Sequence, residues 1–339
     1  MTEHIIDGPL FEDFSRDQVF AAPAVTITEG HTAYYQAITG DRLRLPLDRN
    51  LSAAVTGERR GLVHPMLVIN LVNGQTTFAS QYVKGNLFYR GLLLQQPVYV
   101  GDTLTTSTRI VGKKQNRVKA GRAATGMVAL EMETLNQHSE CVLKYWRCPM
   151  IPCRDEAADT GAADDFSWIP EALSEAELNS AVPDGWRAAE MKAEQFDVPS
   201  PKLAVGDRVR IVAQDTVTAA PELVRLTGNI AFTHTDASRS YLGKRLVYGG
   251  HTISLVFAQI MRGMPNLITL LGWQGCDHLG PVLEEDIIRT EYTLTARSPA
   301  SNGGHIDELH AEAWALRAAN NGGHEESKVL DWRLVVWSA

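Results

Sequence analysis

Four cysteines in 339 residues, Cys141, Cys148, Cys153 and Cys276, are too few for a disulfide-stapled secreted scaffold. Cys148 and Cys153 have no second Cys/His pair at metal-ligand spacing beside them, so reduced thiols and no bound metal are expected. No apolar run approaches the roughly 18 residues that a membrane span needs. Positive charge is in deficit: 32 Lys and Arg against 40 Asp and Glu leave a net charge of −8, with no field to attract nucleic acid or an anionic membrane. The opening MTEHIIDGPLFEDF is acidic and lacks the basic start and apolar core of a targeting signal, so a cytoplasmic location is expected. What is there is an ordinary globular composition, 44% apolar and 21% charged, long enough for about two domains.

The chain reads as one unit written twice. The stretch EAADTGAADDFSWIPEALSEAELNSAVPDGW is acidic, rich in alanine and broken by prolines. It is expected to be a linker, 155–189, carrying one short helix at 174–180 and separating blocks 1–154 and 190–339. Thr39-Gly40-Asp41 matches Thr227-Gly228-Asn229 at an offset of 188. After a four-residue contraction the offset is 184. It then pairs Leu62-Val63-His64-Pro65 with Leu246-Val247-Tyr248-Gly249, Pro97-Val98 with Pro281-Val282, and Asp102 with Asp286. Sustained agreement at one long offset points to tandem domains.

Each block runs from a polar helical pattern ending in TGD or TGN, through a Gly- or Pro-bearing turn, into a strongly apolar helix. Ile253, Val256, Phe257 and Ile260 follow i, i+3, i+4, i+7, with Leu255 and Met261 on other faces, which predicts a buried helix ending at Arg262-Gly263. In the first block 66–72 is apolar nearly all round and is expected to stop at Asn73-Gly74. Alternating strands are expected at 127–135 and 309–316, with another strand at 329–336. Loops 112–121, 301–304 and 320–323 are read as hairpin connections. The expected fold class is α+β: an antiparallel sheet wrapped on one buried helix, built twice.

The richest stretch for chemistry is TGNIAFTHTDASRSYLGKRLVYGGH, residues 227–251. Gly249-Gly250 opens the buried helix, and a helix N-terminus directs free backbone N–H groups toward one point, as a developing oxyanion requires. His234 can move protons near neutral pH, and the Asn229 amide can orient water. On the residues alone, a satisfied structural histidine is the more ordinary reading of His234, ahead of a catalytic one.

The two-block layout and this stretch resemble the MaoC-like, double hot-dog hydratases and dehydratases that act on enoyl-CoA thioesters. Their motif has the form G-D-x-N-P-x-H. Here it reads Gly228, Asn229, Ile230, Ala231, Phe232, Thr233, His234. The resemblance implies that His234 is the catalytic histidine and sets Asn229 on the position of the family's Asp. Asn there departs from the (R)-specific enoyl-CoA hydratases, but it is usual in one subgroup, the mesaconyl-CoA hydratases or β-methylmalyl-CoA dehydratases. The same subgroup is matched by PLFEDF, residues 26–30 (TITEG), TLTTSTRIVGKKQN, VLKYWRCPMI and GKRLVYGGHTISL.

The implied activity is reversible hydration of a 2-enoyl-CoA, with mesaconyl-CoA to β-methylmalyl-CoA as the first choice and other acyl chains as the second. The implied site joins His234 and Asn229 to Gly249 as oxyanion donor. Tyr248, Gly250 and His251 are candidate substrate contacts; for Tyr248 and His251, packing at the helix start is the alternative. Asp236 either orients the site or caps the next helix. Arg245 either meets a carboxylate or CoA phosphate or is a solvated arginine. Lys113, Lys114, Arg117, Lys119 and Arg122 form a solvated hairpin or a rim for CoA phosphates.

No cofactor beyond the CoA of the substrate is expected, because the thioester itself acidifies the α-carbon, and a homodimer is implied. In the first block Asp41 survives, but Pro46 stands five residues on and Pro65 replaces the helix-opening glycine, so that block is read as catalytically degenerate. A hot-dog thioesterase would need a carboxylate on or near the buried helix, and 66–73 and 252–261 contain none. A non-catalytic acyl-CoA-binding protein would have no need to keep Asn229, His234 and Gly249 together.

Overall fold

The computed structural model describes residues 2–118, 121–191, 201–240, 242–319 and 323–339. In the first half, β1 (Val19–Ala21) and β2 (Val25–Thr26) lead into α1 (Glu29–Thr39), α2 (Arg44–Leu47) and α3 (Arg49–Thr56). The central helix α4 (Pro65–Gln75) follows, then β3 (Gly85–Leu94), β4 (Thr103–Gln115), β5 (Thr125–Leu135) and β6 (Cys141–Pro152). A connecting segment bears α5 (Glu175–Ser180). The second half repeats the order: β7 (Arg208–Arg210), β8 (Asp215–Thr216), α6 (Ala220–Leu226), the short α7 (Phe232–Thr235) and the central α8 (Gly249–Gly263). It closes with β9 (Leu267–His278), β10 (Ile287–Pro299), β11 (His305–Ala318) and β12 (His324–Ser338).

The strands form one antiparallel sheet in the order β1-β4-β5-β6-β3-β9-β12-β11-β10-β7, with β2 on β4 and β8 on β10. Read outward from the β3–β9 junction, the two halves have matching strand orders, as duplication requires. The junction is short, with Leu92 opposite Trp273 and Leu93 opposite Gly272. Each half curls around its own central helix. In α8, Val256, Phe257 and Ile260 are fully buried, and Trp273 and Trp332 pack edge to face beneath them with ring centroids 5.6 Å apart.

The two central helices meet at a single tight point. Asn70 on α4 donates through Nδ2 to Ser254 Oγ on α8 at 2.9 Å, and these residues are 184 apart, the offset of the repeat. A residue bonded to its own counterpart lies on the pseudo-twofold axis. A Cβ on Gly250 would fall 1.9 Å from Asn70 Oδ1, so this approach requires glycine.

Several elements differ in extent from the sequence reading. Helix α4 runs through Asn73-Gly74 rather than stopping there, because the hydroxyls of Thr76 and Thr77 donate to the carbonyls of Asn73 and Gly74. Strand β4 takes in Gly112 to Gln115, part of the loop expected at 112–121, after a bulge at Ile110/Gly112. The last hairpin lies partly outside the described residues. The connecting segment is no loose tether: Ile169 packs on Val111, Ala129 and Cys148, and Trp186 lies against Trp337 with ring centroids 6.2 Å apart. Its short helix starts at the expected serine, Ser174, which forms a capping box with Glu177.

The crossing can be tested by overpacking. Gly250→Ala should cost about 1–3 kcal/mol in urea unfolding. Asn70→Ala, introduced into that variant, should recover part of the loss, whereas additive losses would show that the two side chains do not compete for space.

Candidate active site

The second half builds its site on a tight local fold. After α6, the Asn229 N–H donates to the Val224 carbonyl at 3.0 Å, and Asn229 Oδ1 accepts the Ala231 N–H at 2.9 Å. This side-chain turn opens α7, which carries His234. Backbone Leu246 donates to the Thr233 carbonyl at 2.9 Å, and His234 Nδ1 lies 2.8 Å from the Leu246 carbonyl. A carbonyl can only accept, so Nδ1 bears the proton and the neutral ring keeps its lone pair on Nε2. Burial of the ring pushes the His234 pKa down to about 4, partly opposed by the Leu246 hydrogen bond.

Asn229, His234, Tyr248 and Gly249 line one cavity of about 100 Å³. Gly249 is the first residue of α8, so its N–H lies outside the helical ladder. A Cβ there would fall 2.7 Å from the His278 ring, which closes that side of the cavity. Tyr248 meets His234 edge to face, with centroids 5.5 Å apart, and its buried hydroxyl has no partner. Burial also raises the Tyr248 pKa well above the usual phenol value, which keeps it a neutral donor.

The remaining sequence candidates are placed elsewhere. Gly250 faces the helix crossing. His251 is fully buried, lines no part of this cavity and has neither ring nitrogen hydrogen-bonded. Asp236 accepts from the Ser238 N–H at 2.9 Å and caps a 3-10 turn, the second of its two readings. Arg245 pairs with Glu284 at 2.7 Å, outside the cavity wall. Of the basic cluster, Lys113 donates to the Phe14 carbonyl at 2.6 Å, and Lys119 lies outside the described residues.

Sequence reasoning missed the first half's contribution to the cavity, which includes Asn73, Ser80, Tyr89 and Arg147, and it missed His278. His278 is half-buried, and its pKa is pushed down to about 4 by burial and by His234 beside it. Nothing in the motif spacing singles it out, since it comes from the end of β9.

The matching position in the first half is arranged differently. Pro65 opens α4 and has no N–H to offer. His64, the counterpart of Tyr248, pairs through Nε2 with buried Asp41 at 3.0 Å, and Asp41 also accepts the Leu43 N–H at 2.7 Å. Tyr35 and Phe257 pack against the His64 ring, with centroids 5.1 and 5.6 Å away.

No family model matches the chain. It is similar to the mesaconyl-CoA hydratase of Cereibacter sphaeroides, 30% identical over 88% of this chain and 86% of the relative. It is also similar to the beta-methylmalyl-CoA dehydratase of Chloroflexus aurantiacus, 31% identical over 97% and 96% of the two chains. A solved double-hotdog protein of Mycobacterium tuberculosis superposes with a TM-score of 0.86 at 40% identity, covering 98% of this chain and 99% of that one.

Burial of neutral histidines makes stability depend on acid. His234, His251 and His278 have folded pKa values near 4 against 6.5 when unfolded, so below about pH 6.5 the unfolded chain binds more protons. Stability should therefore fall from pH 7 toward pH 4, by up to about 1.4 kcal/mol per pH unit for each ring. His251→Leu should remove one share of that slope in urea unfolding. A flat profile would show that the rings are solvated.

Proposed function

The chain belongs to the family of the mesaconyl-CoA hydratases and beta-methylmalyl-CoA dehydratases, and on that footing we propose that it catalyses the reversible hydration of a short 2-enoyl-CoA, with mesaconyl-CoA to β-methylmalyl-CoA as the reaction. The observation that carries this reading is the convergence on one small cavity of a neutral histidine with a free Nε2, an asparagine amide and a helix-opening glycine.

In the hydration direction, His234 Nε2 takes a proton from a water held by Asn229. Because Asn229 Oδ1 already accepts the Ala231 N–H, its Nδ2 is the group that can donate to the water oxygen. The hydroxide oxygen bonds to the β-carbon, and the π electrons move onto the thioester oxygen. The N–H of Gly249, at the positive end of α8, meets that developing enolate. The proton on His234 then passes to the α-carbon, which restores the neutral ring. A histidine with a low pKa is a strong acid once protonated, so it returns this proton readily. Asn229 cannot exchange protons, so both transfers fall to His234.

The second half carries the chemistry, the first supplies wall and partner surface, no cofactor takes part, and two chains associate. No helix among the described residues is long and apolar enough to cross a membrane.

Loss of the conjugated thioester absorbance of mesaconyl-CoA or crotonyl-CoA, without release of free thiol, is the expected result. Thiol release would instead identify a thioesterase. His234→Ala should lower kcat at least about 100-fold with little change in KM. Asn229→Ala should cost less, and Asn229→Asp should retain activity. Gly249→Pro should abolish turnover. Asp41→Ala should leave kcat of the folded enzyme nearly unchanged while lowering stability by about 3 kcal/mol, because His64 loses its buried partner. A severe effect of Asp41→Ala on kcat together with a mild effect of His234→Ala would move the site to the first half.

A further inference from the structure

Arg147 stands in the cavity without a counter-ion. It lies on β6, where period-two alternation puts it on the inner face with Tyr145, and it is 3% exposed. Its Nη2 donates to the Thr76 carbonyl at 3.3 Å, to Thr76 Oγ1 at 2.7 Å and to Ser80 Oγ at 2.7 Å. All of these acceptors are neutral. Its Nε is buried with no hydrogen-bond partner. Among the described residues no carboxylate lies within ion-pair distance of it.

The cavity wall repeats the pattern. Its lining includes Arg147 and, at the exposed mouth, Lys84, but no Asp or Glu, although the chain as a whole carries a net charge of −8. Keeping a guanidinium dry and unpaired is unfavourable unless an anion completes the site. Arginine's planar fork suits a carboxylate, which can accept two parallel hydrogen bonds.

We propose that Arg147 is the specificity residue of this site and binds the second, free carboxylate that the acyl group of the proposed substrate carries. The proposal rests on the reading of the cavity as the enoyl-CoA site. It assigns to Arg147, from the first half, the task that sequence reasoning offered to Arg245. The phosphates of CoA are not the anion in question. They are separated from the thioester by the whole pantetheine arm, whereas Arg147 shares the small chamber with His234 and Gly249. The two halves then divide the work: the second acts on the double bond, and the first reads the far end of the acyl chain.

The test uses binding first, so that it does not depend on turnover. Succinyl-CoA and butyryl-CoA have the same four-carbon acyl length, and only the first carries a free carboxylate. Calorimetry on the full chain should show succinyl-CoA bound at least about tenfold more tightly. In Arg147→Gln that preference should collapse to within about threefold of unity, and Arg147→Lys should keep part of it, since the charge remains while the fork is lost. Steady-state hydration should follow, with the ratio of kcat/KM for mesaconyl-CoA over crotonyl-CoA falling at least about tenfold in Arg147→Gln.

Absence of any preference in the unsubstituted enzyme, or a preference that survives Arg147→Gln while both affinities fall together, would overturn the proposal and leave Arg147 a structural residue. Should Arg147→Gln fail to fold, the unsubstituted enzyme and Arg147→Lys decide the matter. A carboxylate preference in a protein that hydrates neither thioester would uphold Arg147 and refute the hydratase reading. Hydration without the preference would do the reverse.

Discussion

The crossing of the two central helices at Asn70, Gly250 and Ser254 is the constraint on which the rest of the structure depends. One missing Cβ lets α8 approach α4 closely enough for Asn70 to reach Ser254. That contact fixes the pseudo-twofold axis, the axis sets β3 beside β9, and the continuous sheet brings the loops of one half over the strands of the other. The cavity is a product of this arrangement. His234 and Gly249 come from α7 and the start of α8, while Asn73 and Arg147 come from α4 and β6. Neither half encloses it alone.

The same position in the two halves shows two solutions to the burial of polar groups. In the first half, His64 Nε2 faces Asp41 at 3.0 Å and aromatic rings fill the space around them. In the second, Tyr248 Oη, His278 Nε2 and Arg147 Nε remain buried without partners around an open chamber. Unsatisfied buried groups are rare in folded proteins because each costs free energy. Around this cavity a ligand could supply the missing partners of Tyr248, His278 and Arg147.

Much of this was legible in the chain. Alternation along 127–135 and the helical spacing of Ile253, Val256, Phe257 and Ile260 reflect burial on one face or all round, which local sequence records directly. The fixed offset between the halves was legible for the same reason. Asn229, His234 and Gly249 were visible because a turn, a short helix and a helix start hold them within one stretch of chain. Arg147 and His278 were not, because they reach the cavity from β6 and from the end of β9, and only the sheet order brings those strands near α7. The one available signal was an arginine in phase with Tyr145, on the inner face of its strand. The apparent candidacy of His251 came from adjacency to the glycines, but a residue two positions into a buried helix turns away from the point its neighbours face.

The Asp41–His64 pair has a consequence for how such a molecule can change over generations. In an assembly of two identical subunits every substitution is made twice, so a residue that improves one pocket must also be tolerated in its symmetric copy. Here the copies sit on one chain, and the equivalent place in the first half is filled by Asp41, His64 and their aromatic neighbours. Mutations in either half are therefore inherited by a single chamber. An arginine can be placed on one wall and a histidine on the opposite one without either appearing where it is not wanted. Two halves on one chain allow the two walls of the cavity to differ, as those bearing His234 and Arg147 do.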